Sequence, residues 1–407
     1  MFTGVKVLKY PYFRTKTDCM QIQVVESSAD VRDFHRVAEH IYANDPNWIP
    51  HLKQDIEKIF DPKRNKLFME GAAVRFLLKN KKGLPIGRIA AFVNPKTVNN
   101  FDQPTGGIGF FECIDNQEAA NMLFDSSRDW LAKRGIEAMD GPINFGERNQ
   151  FWGLLIHNFT DPSSYGMNYN PPYYRTLFEN YGFGLYFEQY VYKRDLFIPA
   201  QPIFVRKYNQ MAFDPKYKIT NIQGKSWEQV SQDFMTVYNG AWGGHEHFKP
   251  MAIETARKTI KALKPIVDRD VVIFVYYDNQ PIAFYINIPE LNEIFRYVNG
   301  NLNLWGKIKF LLYQNLNPPE TMVGIVFGVV REYQGKGIEG AMIKWAEDHV
   351  VVAKRRYSET ILTWIGDFNP KMLRVCENLG GRRFRTLATM RYLFDRSAPF
   401  KRAPMVE

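Results

Sequence analysis

Residues 331–339 read Arg-Glu-Tyr-Gln-Gly-Lys-Gly-Ile-Glu, and their types and spacing suit one kind of chemistry, the holding of a phosphate ester. Glycines at 335 and 337 leave backbone N–H groups unobstructed on either side of Lys336. Before them an apolar, β-branched run (Val323, Ile325, Val326, Val329, Val330) reads as a buried strand. After them Ile338, Ala341, Met342 and Trp345 recur at helical spacing. A helix that starts at such a turn adds unpaired N–H donors and the positive end of its dipole. The expected phosphate seat is therefore Gln334, Gly335, Lys336, Gly337 and Ile338, with Arg331 and Lys336 as flanking cations. Glu339 works against it: a carboxylate in the first turn suits the dipole but repels a bound phosphate.

Other residues offer weaker chemistry. His245-Glu246-His247 follows Gly243-Gly244, but no third ligand stands at a recognisable spacing, so His245 is read as a base or acceptor contact and no metal is expected. Glu290, in Ile288-Pro289-Glu290-Leu291-Asn292, could line an acceptor pocket or be a turn carboxylate. Trp152, Tyr165, Tyr169, Tyr173 and Tyr174 form an aromatic band that suits inter-domain packing or a junction site. Cys19, Cys113 and Cys376 are widely separated and odd in number, which fits a reducing compartment and argues against a disulfide framework. The net charge of +10 favours an anionic partner without selecting a small phosphate ester, nucleic acid or a membrane surface. No run approaches the roughly 18 apolar residues needed to span a bilayer, and residues 1–21 lack a signal-peptide core, so a cytoplasmic location is expected.

The elements that must position these residues occur twice. In the first half, strands are expected at 22–25, 73–78, 86–93, 107–114, 138–145 and 187–193, with helices at 28–42, 52–59, 118–134 and 173–181. The second half repeats the order: strand 217–222, helices 226–238 and 253–263, a hairpin around Asp278-Asn279, strand and glycine loop, strand 360–365, helix 371–379 and strand 388–394. Glu179-Asn180-Tyr181-Gly182 echoes Glu377-Asn378-Leu379-Gly380, and Trp130 and Trp345 hold comparable places. An internal duplication follows, with an insertion around 146–165 and a linker over 196–204 containing Pro199 and Pro202.

The stretch Gln334-Gly335-Lys336-Gly337-Ile338-Glu339 resembles the pyrophosphate motif (Gln/Arg-x-x-Gly-x-Gly/Ala) of the GCN5-related N-acetyltransferases, the GNAT superfamily, with Glu339 standing where that family prefers Gly or Ala. The resemblance implies an α/β (α+β) fold of two tandem GNAT-like domains, residues 1–199 and 200–407, each a mixed, mostly antiparallel sheet flanked by helices. The first copy is degenerate, because Asp115-Asn116-Gln117-Glu118 replaces the loop with carboxylates and no glycine. The second would bind acetyl-CoA or another acyl-CoA and transfer the acyl group to a small or peptidyl amine. In that pattern backbone groups of Val329, Val330 and Arg331 grip the pantetheine and polarise the carbonyl. Asn369 reaches the cofactor or simply caps its helix before Pro370. Cys376 stands where the family commonly places an acidic Tyr, and Phe178 stands there in the first copy. The resemblance leaves two further readings, a ligand-binding or scaffold protein without catalysis and an aminoacyl-tRNA-dependent transferase similar to the Fem enzymes.

Overall fold

The computed structural model describes residues 20–243, 249–353 and 356–405. The first half contains β1 (Gln21–Val24), α1 (Ser28–Ile41), α2 (Lys53–Phe60), β2 (Ala72–Lys79), β3 (Pro85–Val93), β4 (Thr105–Cys113), α3 (Gln117–Ala132), β5 (Ala138–Gly141), β6 (Leu154–His157), α4 (Tyr174–Tyr181) and β7 (Gly184–Asp195). The second contains α5 (Pro202–Ala212), β8 (Tyr217–Asn221), α6 (Trp227–Trp242), α7 (Ile253–Leu263), β9 (Val272–Tyr277), β10 (Gln280–Pro289), α8 (Asn292–Phe295) and α9 (Leu304–Leu316). It ends with β11 (Thr321–Val329), α10 (Ile338–Ala346), β12 (Glu359–Gly366), α11 (Pro370–Asn378) and β13 (Arg382–Leu393).

Local chemistry accounts for most boundaries. Ser27 Oγ accepts from Asp30 N at 3.1 Å while the Asp30 carboxylate accepts from Ser27 N at 2.9 Å, a reciprocal cap that starts α1. Gly182 ends α4 at φ +109°, a conformation that side chains with a Cβ rarely adopt. Asp278 and Asn279, at φ 47° and 64°, close the β9–β10 hairpin. Two expectations differ from what forms. The strand expected over 138–145 stops at Gly141, because residues 142–145 leave the ladder and turn across β4. The expected linker 196–204 runs into α5, since Pro202 serves as a first-turn residue as readily as a breaker.

The strands form one sheet in the order β1-β2-β3-β4-β5-β13-β7-β12-β11-β10-β9-β8, with β6 added beside β13. The last strand of each half is thus paired to the other half. β13 lies between β5 and β7, and β7 lies between β13 and β12, all antiparallel. Only β4–β5 and β11–β12 are parallel among the described pairs. In the first half one face is built on Leu78, Ile89, Phe111, Phe124 and Phe178 and includes Ala388, Met390 and Tyr392 of β13, and the α1/α2 face (Phe34, Val37, Ile56, Leu77) is buried separately. In the second half the α10 face (Val275, Ala341, Met342) and the α6/α7 face (Val230, Phe274, Phe284) are buried separately.

Asp140 of β5 and Arg391 of β13 pair across the exchanged strands, Nε to Oδ1 at 2.6 Å and Nη2 to Oδ2 at 2.8 Å, both buried. Arg391 also stacks on Tyr186, 3.6 Å from the ring centroid. Removing one partner strands a buried charge. Arg391→Ala should lower stability by about 3–5 kcal/mol in chemical denaturation, and the loss should appear in the transition of the whole chain because β13 belongs to both halves.

Candidate functional site

β11 and β12 pair in parallel only from Thr321↔Glu359 to Gly324↔Leu362. Beyond that point both strands break register. On β11 the partner of Ile286 is Val326 and that of Asn287 is Gly324, so Ile325 is an extra residue, a β-bulge. On β12 the pairing with β7 shifts between Leu362 and Ile365. Released from each other, the strands diverge and open a groove. Ile325, Val326 and Phe327 on one side and Leu362, Thr363, Trp364 and Ile365 on the other are half-buried, whereas the residues before the split on β11 are buried.

The groove leads to the glycine loop. Gly335 and Gly337 have φ +73° and +83° on either side of Lys336, and successive N–H groups in alternating-hand backbone form an anion-binding concavity. Gly337 is also the N-cap of α10 and supplies no side-chain cap, so the first-turn N–H groups of the helix have no partner within it. Gln334 folds back, its Nε2 donating to Val329 O at 3.0 Å, and so fixes the loop to the end of the strand. Lys336 Nζ lies 4.8 Å over the Tyr333 ring. No motif or spacing points to Lys207, on α5: a Cβ at Gly337 would lie 2.7 Å from Lys207 Cγ. Another cation therefore borders the loop. Glu339 is half-buried in the first turn of α10.

The equivalent groove in the first half is filled. β4 and β5 also part after a short parallel ladder, ending at Gly107↔Asp140, but Ile143 N donates to Ile108 O at 2.7 Å. A Cβ at Gly109 would sit 1.9 Å from Ile143 O, so the backbone itself occupies the opening. The start of α3 is occupied too, since the Asn116 side chain accepts from Ala119 N at 2.8 Å.

The remaining sequence candidates separate from one another. Val330 N donates to Ile282 O at 2.9 Å, so this N–H belongs to the sheet and is not available to polarise a thioester. The ladder instead breaks at Ile325, which only its register with β10 reveals. Arg331 is exposed at the mouth of the loop. Asn369 Oδ1 accepts from Met372 N at 3.1 Å, so it does cap α11. Cys376 is not placed as an acid: it is 1% exposed, packed against Tyr190 and Tyr192, and burial pushes its thiol up to about 12. His245 lies outside the described residues. Among the described residues no three His, Cys, Asp or Glu side chains cluster as metal ligands.

A tyrosine that resembles an ordinary strand residue stands nearer the split. A Cβ at Gly324 would be 3.2 Å from Tyr285 Oη and 3.4 Å from Asn287 Oδ1. Tyr285 also borders a narrow cavity between α10 and α11, with Thr360, Leu362, Ile343 and Leu379. Burial pushes its phenol up to about 12, so it stays protonated at neutral pH.

The opposite face of the sheet meets the first half. There Ile288, Val323, Ile361 and Leu387 are buried, while Ile325, Trp364, Phe159, Phe384 and Ile266 are partly exposed, an apolar wall shared by both repeats. Glu290 lies at its end, where Glu290 N donates to Thr321 O at 2.9 Å. That is three residues past the partner of Gly324, about 10 Å along the strand. Glu290 Oε1 accepts from Tyr165 N and Asn292 N, both at 2.9 Å, whereas the buried Oε2 has no partner. Burial raises this carboxyl to about 7, with those backbone donors only partly offsetting the effect. Buried Ser163 Oγ and Arg385 Nε are likewise unpartnered, and Arg385 is pulled down to about 10 by burial.

No family model matches the chain. It is 26% identical over 385 residues to a bacterial ceramide synthase of Caulobacter vibrioides, covering 92% of this chain and 98% of that protein. It is 24% identical over 367 residues to protein YghO of Escherichia coli, covering 88% and 91%. Among solved structures, a tandem GNAT protein from the clavulanic acid biosynthesis pathway superposes with a TM-score of 0.52 at 11% identity, covering 94% of this chain and 100% of that one. The fold is the tandem GNAT fold.

The Glu290 carboxyl gives a stability signature. Its folded value, about 7, stands above the ordinary 4.5, so between those values the folded chain keeps a proton that the unfolded chain releases. Stability is therefore fully present below pH 4.5 and falls as pH rises through 7. Glu290→Gln should remove that decline, a difference of up to about 3 kcal/mol at neutral pH, measured as melting temperature against pH.

Proposed function

We propose that this chain is an acyl-CoA-dependent N-acyltransferase that binds its donor in the second repeat and acylates an amine carrying a long apolar chain. The observation that carries the reading is the contrast between the grooves: the second opens onto an uncapped glycine loop, while the first is filled by Ile143 and capped by Asn116. The acceptor class rests on the apolar wall of Ile325, Trp364, Phe159 and Phe384. It also agrees with the relative named a ceramide synthase, since a ceramide is the amide of a long-chain amino alcohol.

Gly335, Lys336, Gly337 and the first turn of α10 hold the pyrophosphate, with Lys207 and Arg331 adding charge. Acyl-CoA supplies the activated carbonyl. The chain's own contribution is alignment and proton traffic. The backbone at the Ile325 bulge, where the register with β10 shifts, is the donor to the developing oxyanion. Tyr285, whose hydroxyl lies beside Gly324 at the split, is the proton donor to the departing thiolate. Glu290, with a free oxygen and a value near neutrality, takes the proton of the acceptor ammonium through intervening water.

Isothermal titration with acetyl-CoA and longer acyl-CoAs tests the donor, and mass spectrometry of the amide formed on a long-chain amine tests the acceptor. The absence of heat and of thermal stabilisation with every CoA ester would overturn the reading. Gly337→Val should abolish CoA binding; because it also strains a +83° φ and meets Lys207, Lys207→Ala is the gentler partner and should weaken binding roughly tenfold. Glu339→Ala should tighten binding by about 0.5–1 kcal/mol. Tyr285→Phe should leave CoA affinity unchanged and lower kcat by about a hundredfold.

A further inference from the structure

The helix α9 is built inside out. Gly306, Phe310 and Tyr313 face the protein: a Cβ at Gly306 would lie 2.0 Å from Asn301 O, Phe310 packs on Phe295 at 5.4 Å, and Tyr313 stacks on Tyr297 at 4.0 Å. The opposite face carries Leu304, Trp305, Ile308, Leu311, Leu312 and Leu316, between 46% and 72% exposed. Helices on globular surfaces turn such side chains inward, and a contiguous apolar patch of this kind marks an interaction site.

Charge says which kind of partner covers it. The charged residues of α9 are Lys307 and Lys309, both exposed, with no Asp or Glu in the helix. On a helical wheel they fall at the two edges of the apolar face, where flexible stems let ammonium groups reach a polar layer above buried side chains. Beside the start of the helix an open cleft is lined by Lys58, Arg64, Lys258 and Lys307, against one carboxylate, Asp55. Asp55 is already hydrogen-bonded by Tyr165 Oη at 2.5 Å. An apolar face bordered by cations, with a tryptophan among its residues, matches a surface of acyl chains beneath anionic headgroups. A second copy of this chain would meet the same lysines with its own.

We propose that α9 and the adjoining basic cleft dock the protein on an anionic phospholipid bilayer, with the outward face of the helix lying in the headgroup boundary. This does not depend on the acyl-transfer reading, and the measurement involves no catalysis. No helix among the described residues is long and apolar enough to cross a membrane; the docking proposed for α9 is peripheral, along the headgroup boundary.

Co-sedimentation of the full chain with vesicles of phosphatidylcholine alone, and of phosphatidylcholine mixed with phosphatidylglycerol, tests it. The protein should pellet with the mixed vesicles, less so in high salt, and remain in solution with phosphatidylcholine alone. Combining Trp305→Ser, Leu311→Ser and Leu312→Ser should abolish pelleting, with an unchanged melting temperature because these side chains are exposed. Combining Lys307→Glu and Lys309→Glu should weaken binding at least roughly tenfold. A protein that ignores both vesicle types, or pellets equally with both regardless of these substitutions, overturns the proposal. So does a dimer in sedimentation velocity that the apolar substitutions break while vesicle binding is absent.

Discussion

A strand exchanged between two repeats ties the molecule together. β13 runs antiparallel along β7 from Arg382 to Arg391 and along β5 from Met390 to Leu393. The ladder therefore continues from one half to the other without an edge between them, where unpaired backbone groups would need cover. The bidentate Asp140–Arg391 pair sits at this junction. A buried pair of this kind contributes little net attraction over its desolvation, but it makes other registers costly because a slipped strand would bury an unpaired charge. The consequence for function is geometric. With β7 beside β12, the first half's insertion is brought over the second half's groove, where Trp364 Nε1 donates to Arg148 O at 3.2 Å. One wall of the groove is thus contributed by residues far away in sequence.

The legible parts of the sequence were those where local chemistry leaves few options. Gly335 and Gly337 adopt φ values that disfavour other residues, so the loop announced itself, and with it the tandem fold. Gly182 and Gly380 marked the ends of equivalent helices for the same reason. The exchange of β7 and β13 was not legible, because alternation along a strand records which faces are buried and not which strand lies alongside. Tyr285 was missed on similar grounds. An aromatic in an apolar strand reads as core, and its meeting with Gly324 depends on cross-strand register. Cys376 holds the position where the resembled family places an acidic Tyr, yet the neighbours that decide its chemistry, Tyr190 and Tyr192, come from the other repeat.

The outward face of α9 was illegible for a different reason. Apolar residues at helical spacing predict a helix and say that one face is covered, but they do not name the cover. In α9 the covering contacts are made by the smaller set, Gly306, Phe310 and Tyr313, while the larger set points outward. Periodicity alone would assign those roles the other way round.

The two grooves give the strongest internal argument about function, because they share a fold and differ in occupancy. Parting two parallel strands leaves apolar side chains half-exposed, at roughly 25 cal/mol for each Å² left in water. The first repeat recovers that loss by laying residues 142–145 into the split, with Phe145 fully buried, and by capping α3 with Asn116. The second repeat does not fill its split in this way. Instead Ile325, Phe327 and Trp364 remain half-exposed, the bulge at Ile325 stays out of the ladder, and α10 begins without a side-chain cap. Three separate local penalties coincide along one groove that ends in a glycine loop.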